Sequence, residues 1–181
     1  LLKSPGGKTF SRVYTCAMML GKYYVIFSNV QKQCSMQFKG NNDQSSARYW
    51  DGLAAIYQKE TRISTGDFHY GPLLPGDSAL RLLPDVRDLR ALEIGCGAGQ
   101  NSIFLAKQGA HCTAVDISEE QLAHGRRLAA AENTAVDFRR VSMDSLREDL
   151  RTGHPFDLIH STYALPFSAD RQKVIADAAA M

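Results

Sequence analysis

Acidic residues are missing from the first forty positions, which hold six bases (Lys3, Lys8, Arg12, Lys22, Lys32, Lys39) and neither Asp nor Glu. Alanine is almost missing there too, with Ala17 alone, although it is frequent from Ala47 onward. The other 141 residues carry the remaining 15 bases and all 19 acids, so a compositional seam lies near residue 40. The six bases stand singly among Tyr, Met and Phe, which argues against a polybasic arm for nucleic acid or an anionic membrane. The four cysteines (Cys16, Cys34, Cys96, Cys112) form no C-x-x-C pair and have no His at zinc spacing. No metal site is therefore expected, and reduced thiols in a cytoplasmic protein are the default. A long apolar run is lacking as well. The most apolar stretch, residues 13–30, is interrupted by Lys22 and has no small-residue cleavage site, so a half-buried hairpin is expected rather than a membrane span or leader.

What is present is globular. Hydrophobic residues make up 44% and charged residues 22% of 181 positions, enough for one domain with a core and unlike a disordered or collagen-like chain. Three segments are distinguished: residues 1–40, a divergent N-terminal segment; residues 41–78, a lid helix and loop; and residues 79–181, a Rossmann-like core. Within the second, residues 41–46 read as a polar linker, and residues 47–57 place Trp50, Leu53, Ala54 and Tyr57 at helical spacing. Residues 61–78 are rich in Gly, Pro, Ser and Thr and read as loop, and residues 57–72 are expected to form a mobile lid. A short helix at 79–83 is stopped by Pro84.

From there strands and helices alternate. Strands are expected at 91–94, 111–115, 136–141 and 156–161, and helices at 100–108 (closed by Gly109), 119–132 (with Ser118 as N-cap) and 170–180. This alternation predicts an α/β fold with a doubly wound parallel sheet and helices on its faces. In such sheets ligands sit beyond the carboxyl ends of the strands. There the sequence reads Glu93-Ile94-Gly95-Cys96-Gly97-Ala98-Gly99, with Asp116 at the tip of the second strand and Asp144 just past the third. Glycines allow a tight turn and a close approach to a ligand. A nicotinamide-binding G-x-G-x-x-G would need Gly or Ala where Gln100 stands, and here the third glycine, Gly99, comes one residue early.

The run matches E-x-G-x-G-x-G and resembles the signature of class I S-adenosylmethionine-dependent methyltransferases of the small-molecule type, a resemblance that extends from about residue 47 to the last residue. It implies S-adenosylmethionine as cofactor and a candidate set of Tyr57, Tyr70, Glu93, Gly95, Cys96, Gly97, Gly99, Asp116, Ile117, Met143, Asp144 and Ser161. Asp116 would accept both ribose hydroxyls. Asp144 would meet the adenine amino group, with Met143 on the ring. Glu93 would order the loop and the amino end of the cofactor, and Ser161 with Thr162 would line the methionine portion. Tyr57 and Tyr70 resemble lid residues that cover the sulfonium and carboxylate end, where an aromatic face stabilises a cation.

A bound sulfonium is already activated, so such a protein mainly aligns donor and acceptor and needs no nucleophile. If the acceptor must lose a proton, His69, His160 and Tyr163 are the candidate bases. No catalytic residue is assigned. The D/N-P-P-Y/F run of enzymes that methylate nucleic-acid amino groups is replaced by Ser161-Thr162-Tyr163-Ala164-Leu165-Pro166-Phe167. A small-molecule acceptor is expected, not DNA. The alternatives are a truncated or non-catalytic S-adenosylmethionine-binding module and an NAD-binding Rossmann protein.

The departure from the family is that a complete fold of this class has seven strands and only four follow in the expected order. The chain reads as incomplete at its C-terminal end, with an uncovered sheet edge through which copies could associate. Residues 1–8 (LLKSPGGK) resemble the turn before the family's fifth strand, and residues 9–14 and 22–27 read as strands. The first forty residues are thus a permuted supply of the missing strands, an unrelated extension, or a separate hairpin packed on the sheet. Permutation requires a strand within residues 8–28 running parallel to the fourth core strand, on the side away from residues 91–94.

Overall fold

The computed structural model describes residues 13–20, 23–30, 43–71, 74–150 and 153–181. Strands β1 (Val13–Leu20) and β2 (Tyr23–Val30) come first, followed by helix α1 (Asp43–Thr61) and the short α2 (Asp77–Leu80). The alternating part runs β3 (Arg90–Ile94), α3 (Gln100–Lys107), β4 (His111–Asp116), α4 (Glu119–Ala131), β5 (Val136–Arg140), α5 (Leu146–Asp149), β6 (Leu158–Thr162) and α6 (Arg171–Ala179).

All six strands form one sheet in the order β1-β2-β6-β3-β4-β5. β6, β3, β4 and β5 are mutually parallel, the Rossmann-like core expected of the alternation. Leu92, Ile94, Val115 and Ile159 turn one face of this sheet into a core with Val174 and Ala178 of α6. Ala91, Cys112 and Leu158 turn the other face onto Leu105 of α3 and onto Phe68 and Tyr70. Each large apolar side chain withdrawn from water in this way contributes about 1.5–3 kcal/mol. Helix α4 is capped as read: the Ser118 side chain accepts a hydrogen bond from the Gln121 N–H.

Three expectations need correction. Residues 43–46, read as linker, form the first turn of α1, where Asp43 sits favourably at the positive end of the helix. The helix expected at 79–83 begins at Asp77 and stops when Arg81 takes a left-handed conformation (φ 51°), before Pro84 is reached. Its end is held by the Asp77 carboxylate, which accepts hydrogen bonds from the Leu82 and Leu83 N–H groups at 2.7 and 3.1 Å.

The third concerns the sheet edge, because β6 is not uncovered. β2 pairs with it in parallel from Tyr24↔Leu158 to Ser28↔Thr162, on the side away from β3, and β1 pairs antiparallel with β2. The parallel pairing that permutation demands is present, and β2 reaches it through a hairpin from β1, the arrangement expected for residues 13–30. Backbone hydrogen bonds at the β6 edge are thereby satisfied within the chain. The expected strand start at residues 9–12 lies outside the described residues.

Candidate functional site

The carboxyl ends of β3, β4 and β5 open into a cavity of about 550 Å³. The glycine loop forms its floor. Gly95 and Cys96 both donate their N–H to the Val115 carbonyl, at 2.8 and 3.0 Å, and Gly99 N–H closes the turn onto the Cys96 carbonyl at 2.8 Å. All three glycines have positive φ, but their surroundings differ. A Cβ on Gly95 would meet the Ala164 Cβ at 2.2 Å, and one on Gly99 would meet the Phe138 ring at 2.6 Å. One on Gly97 would have nothing closer than 3.9 Å. Gly95 and Gly99 are thus required by protein packing, and Gly97 by its conformation at the cavity surface.

Asp116 stands at the tip of β4. Its Oδ2 accepts from Gly97 N–H at 2.8 Å and its Oδ1 from Ser118 N–H at 2.9 Å. Burial pushes this carboxyl up to about 6, against the hydrogen bonds that favour its charge. Glu93 is buried in β3 and accepts from the Ser102 N–H and Oγ–H at 3.0 and 2.6 Å, which satisfies one free donor of the α3 N-terminus. Burial raises it to about 7. Each carboxylate oxygen has two lone pairs, so both acids keep acceptor capacity for a ligand.

Of the twelve candidate residues, Tyr57, Glu93, Gly95, Cys96, Gly97, Asp116, Ile117, Met143 and Asp144 line the cavity, and Tyr70, Gly99 and Ser161 do not. Tyr70 is fully buried beside Phe68 and donates its hydroxyl to Asp77 at 2.6 Å, so it is packing for the loop rather than a cover for the cavity. Ser161 is buried with its Oγ–H on the Ile94 carbonyl at 2.8 Å. Gly99 lies beneath Phe138. Asp144 reaches the cavity, yet its oxygens accept from Ser168 Oγ–H at 2.5 Å and Ala169 N–H at 3.2 Å, tying the turn after β6 to the end of β5.

Among the candidate bases, His69 and Tyr163 line the cavity. His160 is fully buried against Phe68 with neither ring nitrogen hydrogen-bonded, and burial lowers it to about 3. His69 is held by its backbone, whose N–H and carbonyl pair with the Asn101 amide at 2.9 and 3.0 Å, and burial lowers its imidazole to about 4. Tyr163 occupies the left-handed region at φ 69°, a conformation that is costly for a non-glycine residue and concentrates at functional sites.

A family of methyltransferase domains matches residues 91–181, half of the chain. This chain belongs to that family. The methyltransferase domain is 30% identical over 92 residues to a ubiquinone biosynthesis O-methyltransferase of Marinobacter nauticus, a match that covers 51% of this chain and 39% of the relative. With the ubiquinone biosynthesis O-methyltransferase of Sinorhizobium fredii it shares 34% over 85 residues, covering 47% and 33%. The chain therefore spans less than half the length of the curated relatives it matches. The solved magnesium protoporphyrin IX methyltransferase of Synechocystis, with bound SAH, superposes with a TM-score of 0.58 at 18% identity over 77% of this chain and 67% of that one, which shows a shared fold. Among the described residues no helix of the domain is long and apolar enough to cross a membrane.

The structure adds site residues that sequence reading missed. Gln58 of α1 donates its Nε2–H to the side-chain Oε1 of Gln121 at 2.8 Å and accepts at its Oε1 from the Gln100 side-chain amide at 2.7 Å, so one glutamine joins the N-terminal turns of α3 and α4 above the glycine loop. Asp51 accepts from Ser118 Oγ–H at 2.6 Å. Trp50 meets the Phe167 ring edge-on with centroids 5.0 Å apart. Only Trp50 left a trace in the sequence, as part of the apolar stripe of its helix. The second half of the expected lid is anchored, since Phe68 and Tyr70 are both fully buried.

Proposed function

We propose that this chain binds S-adenosylmethionine in the cavity above β3, β4 and β5, and that the protein it forms transfers the methyl group to an oxygen of a small-molecule acceptor. The observation that carries the reading is the coupling of Asp116 to the glycine loop: its carboxylate accepts from Gly97 N–H at 2.8 Å at the cavity wall, with acceptor capacity left for a vicinal diol. The chemistry of the donor set fits such a ligand. Asp116 would hold the ribose, Gly97 the close backbone approach, Ile117 and Met143 the adenine faces, Glu93 the amino end, and Tyr57 the neighbourhood of the sulfonium. The names of the O-methyltransferase relatives support oxygen as the atom methylated and a small molecule as its carrier.

When bound, the cofactor supplies a methyl group on a positively charged sulfur, which leaves as a neutral thioether. The residues then have to align the acceptor oxygen, exclude water and receive the hydroxyl proton. His69, neutral in its buried setting and facing the cavity, is the candidate proton acceptor. Helix α1, joined to α3 and α4 through Gln58 and Asp51, serves as the lid of a domain whose cofactor-binding core begins near residue 79.

Calorimetry with S-adenosylmethionine and with NAD tests the reading: S-adenosylmethionine is expected to bind, and binding of NAD alone would overturn it. Asp116→Ala should weaken cofactor binding by about 1.5–3 kcal/mol, the usual range for hydrogen bonds to a charged group. An unchanged affinity removes Asp116 from the site.

A further inference from the structure

The sheet has two edges, and they are built differently. β5, at one end of the strand order, is five residues long and carries Asp137, Arg139 and Arg140, all exposed, with Asp137 and Arg139 ion-paired. Charges on a short strand are the usual guard against another chain adding to an open edge. β1, at the other end, is eight residues long and reads VYTCAMML, with no charged residue, no Gly and no Pro. All of it pairs antiparallel with β2, from Val13↔Val30 to Leu20↔Tyr23. In such a ladder alternate residues turn their N–H and C=O to the opposite side. Among the described residues no strand takes up those groups. β2 (YYVIFSNV) is uncharged as well, so the two outermost strands share none of the devices that keep an edge single.

We propose that β1 is the interface for a second copy of this chain, with two β1 strands pairing antiparallel across a two-fold axis so that two sheets become one. An axis normal to the sheet reverses the strand and keeps each side chain on its own face, so β1 is its own antiparallel partner, in registers that set odd positions opposite odd ones and even opposite even. The two central registers put Cys16 or Ala17 opposite its own copy and align residues 13–19 or 14–20 with themselves. No like charges meet in either, because the strand has none. The β5 edge of a neighbour suits β1 less well, since it is shorter and would set charged residues beside apolar ones. Each chain has one such edge, so association closes at two. The axis also reverses the parallel core of the second copy, so the two cavities open at opposite ends of the joined sheet and neither copy stands over the other's site.

The test is sedimentation of the whole chain with and without a charge placed on β1. The parent should sediment at twice its chain mass of 20.0 kDa, and Ala17→Lys at the chain mass. Both central registers bring the two lysines within about 8 Å of each other, where like charges oppose pairing. Arg139→Glu, a charge change on the β5 edge, should leave the mass at two chains. A second measurement needs no change in β1. In Cys34→Ser the two cysteines left outside β1, Cys96 and Cys112, are buried, so a short bis-maleimide should join two chains through Cys16. The Cα atoms of its two copies stand about 5 or about 8 Å apart in these registers. The double variant Cys16→Ser, Cys34→Ser should not be joined. A monomeric parent overturns the proposal, since the edge is then covered by another segment or left for a different partner. A dimer that a folded Ala17→Lys leaves intact, or one that yields no cross-link through Cys16, also overturns it, because the copies then meet elsewhere. Growth beyond two chains does so too, because pairing of one edge must close. Circular dichroism checks that Ala17→Lys keeps its fold, and if it does not, the cross-link decides. Cofactor binding is not a readout, so these outcomes stand apart from those that test the proposed function.

Discussion

One wall of the cavity comes from a single stretch, residues 93–144, while the facing wall is assembled from Trp50 and Tyr57 of α1, His69 of the next loop, and Tyr163 and Phe167 beyond β6. In the first wall, the backbone does most of the work. Strand ends, a glycine loop and helix N-termini aim N–H groups at two carboxylates, through hydrogen bonds that span 2 to 19 positions within one strand-helix-strand unit. In the second wall, side chains meet across gaps of up to 117 positions, as Trp50 and Phe167 do, and nothing in the chain between them fixes that meeting. The first wall is consequently rigid and intolerant, and the second is held by a few polar contacts that can be removed singly.

Directly behind the first wall, a large effect is expected at Gly99, which packs under Phe138. Gly99→Ala combines a left-handed backbone with a Cβ driven into Phe138 and should cost about 2–4 kcal/mol of stability, read by denaturant unfolding. Gly97→Ala, with no collision, should cost about 1–2 kcal/mol. Equal losses at the two positions would erase the distinction between packing glycines and a ligand-facing one.

Next is Glu93, which lies about 7 in the folded chain against an ordinary 4.5. A buried carboxyl raised in this way costs nothing below its unfolded value. Its destabilisation grows as pH rises from 4.5 to 7 and remains in full above that. Glu93→Gln should therefore be more stable than the parent at pH 8, by on the order of 2 kcal/mol, with the gain gone near pH 4. Unfolding curves across that range decide it, and a gain that does not vary with pH assigns the effect to packing instead.

In the second wall the effects should be smaller. Gln58→Ala removes two hydrogen bonds between α1 and the N-terminal turns of α3 and α4, and is expected to cost about 1 kcal/mol. It should also speed proteolytic cleavage within α1, and Gly99→Ala, if it folds, should not do so selectively. Lys107→Ala breaks a partly exposed ion pair with Glu132 and a hydrogen bond to the Thr65 carbonyl, and should cost less than about 1 kcal/mol. A larger loss there would mean that the loop after α1, and not Gln58, holds the lid in place.

The boundary between what could and could not be read in the sequence follows the same division. β3 was expected at 91–94 and is Arg90–Ile94, β4 was expected at 111–115 and is His111–Asp116, and α4 with its Ser118 cap lies within a residue of its expected bounds. Periodicity, caps and the glycine spacing are local signals, and the contacts that realise them are local too. Tyr70 was misread for the opposite reason. An aromatic in a loop rich in Gly and Pro looks like a cover for a ligand, and only the core formed by Phe68, Ala91, Leu105 and Leu158 shows that its ring has a place inside. Asp144 lines the cavity, and its bonds to Ser168 and Ala169, 24 and 25 positions on, have no local signature.

By itself the sequence determined the α/β alternation, the glycine loop between β3 and α3, the acid at the end of β4 and the family to which they point, because strand and helix periods, glycine conformations and helix caps act over a few residues. The tertiary structure decided the partner of β6, the glutamine that joins α1 to two helix ends, and the removal of Tyr70 and Ser161 from the cavity lining. Those choices are made by which distant surfaces bury one another and satisfy one another's hydrogen bonds. They depend on loop closure and packing between elements, for which no residue spacing is a code.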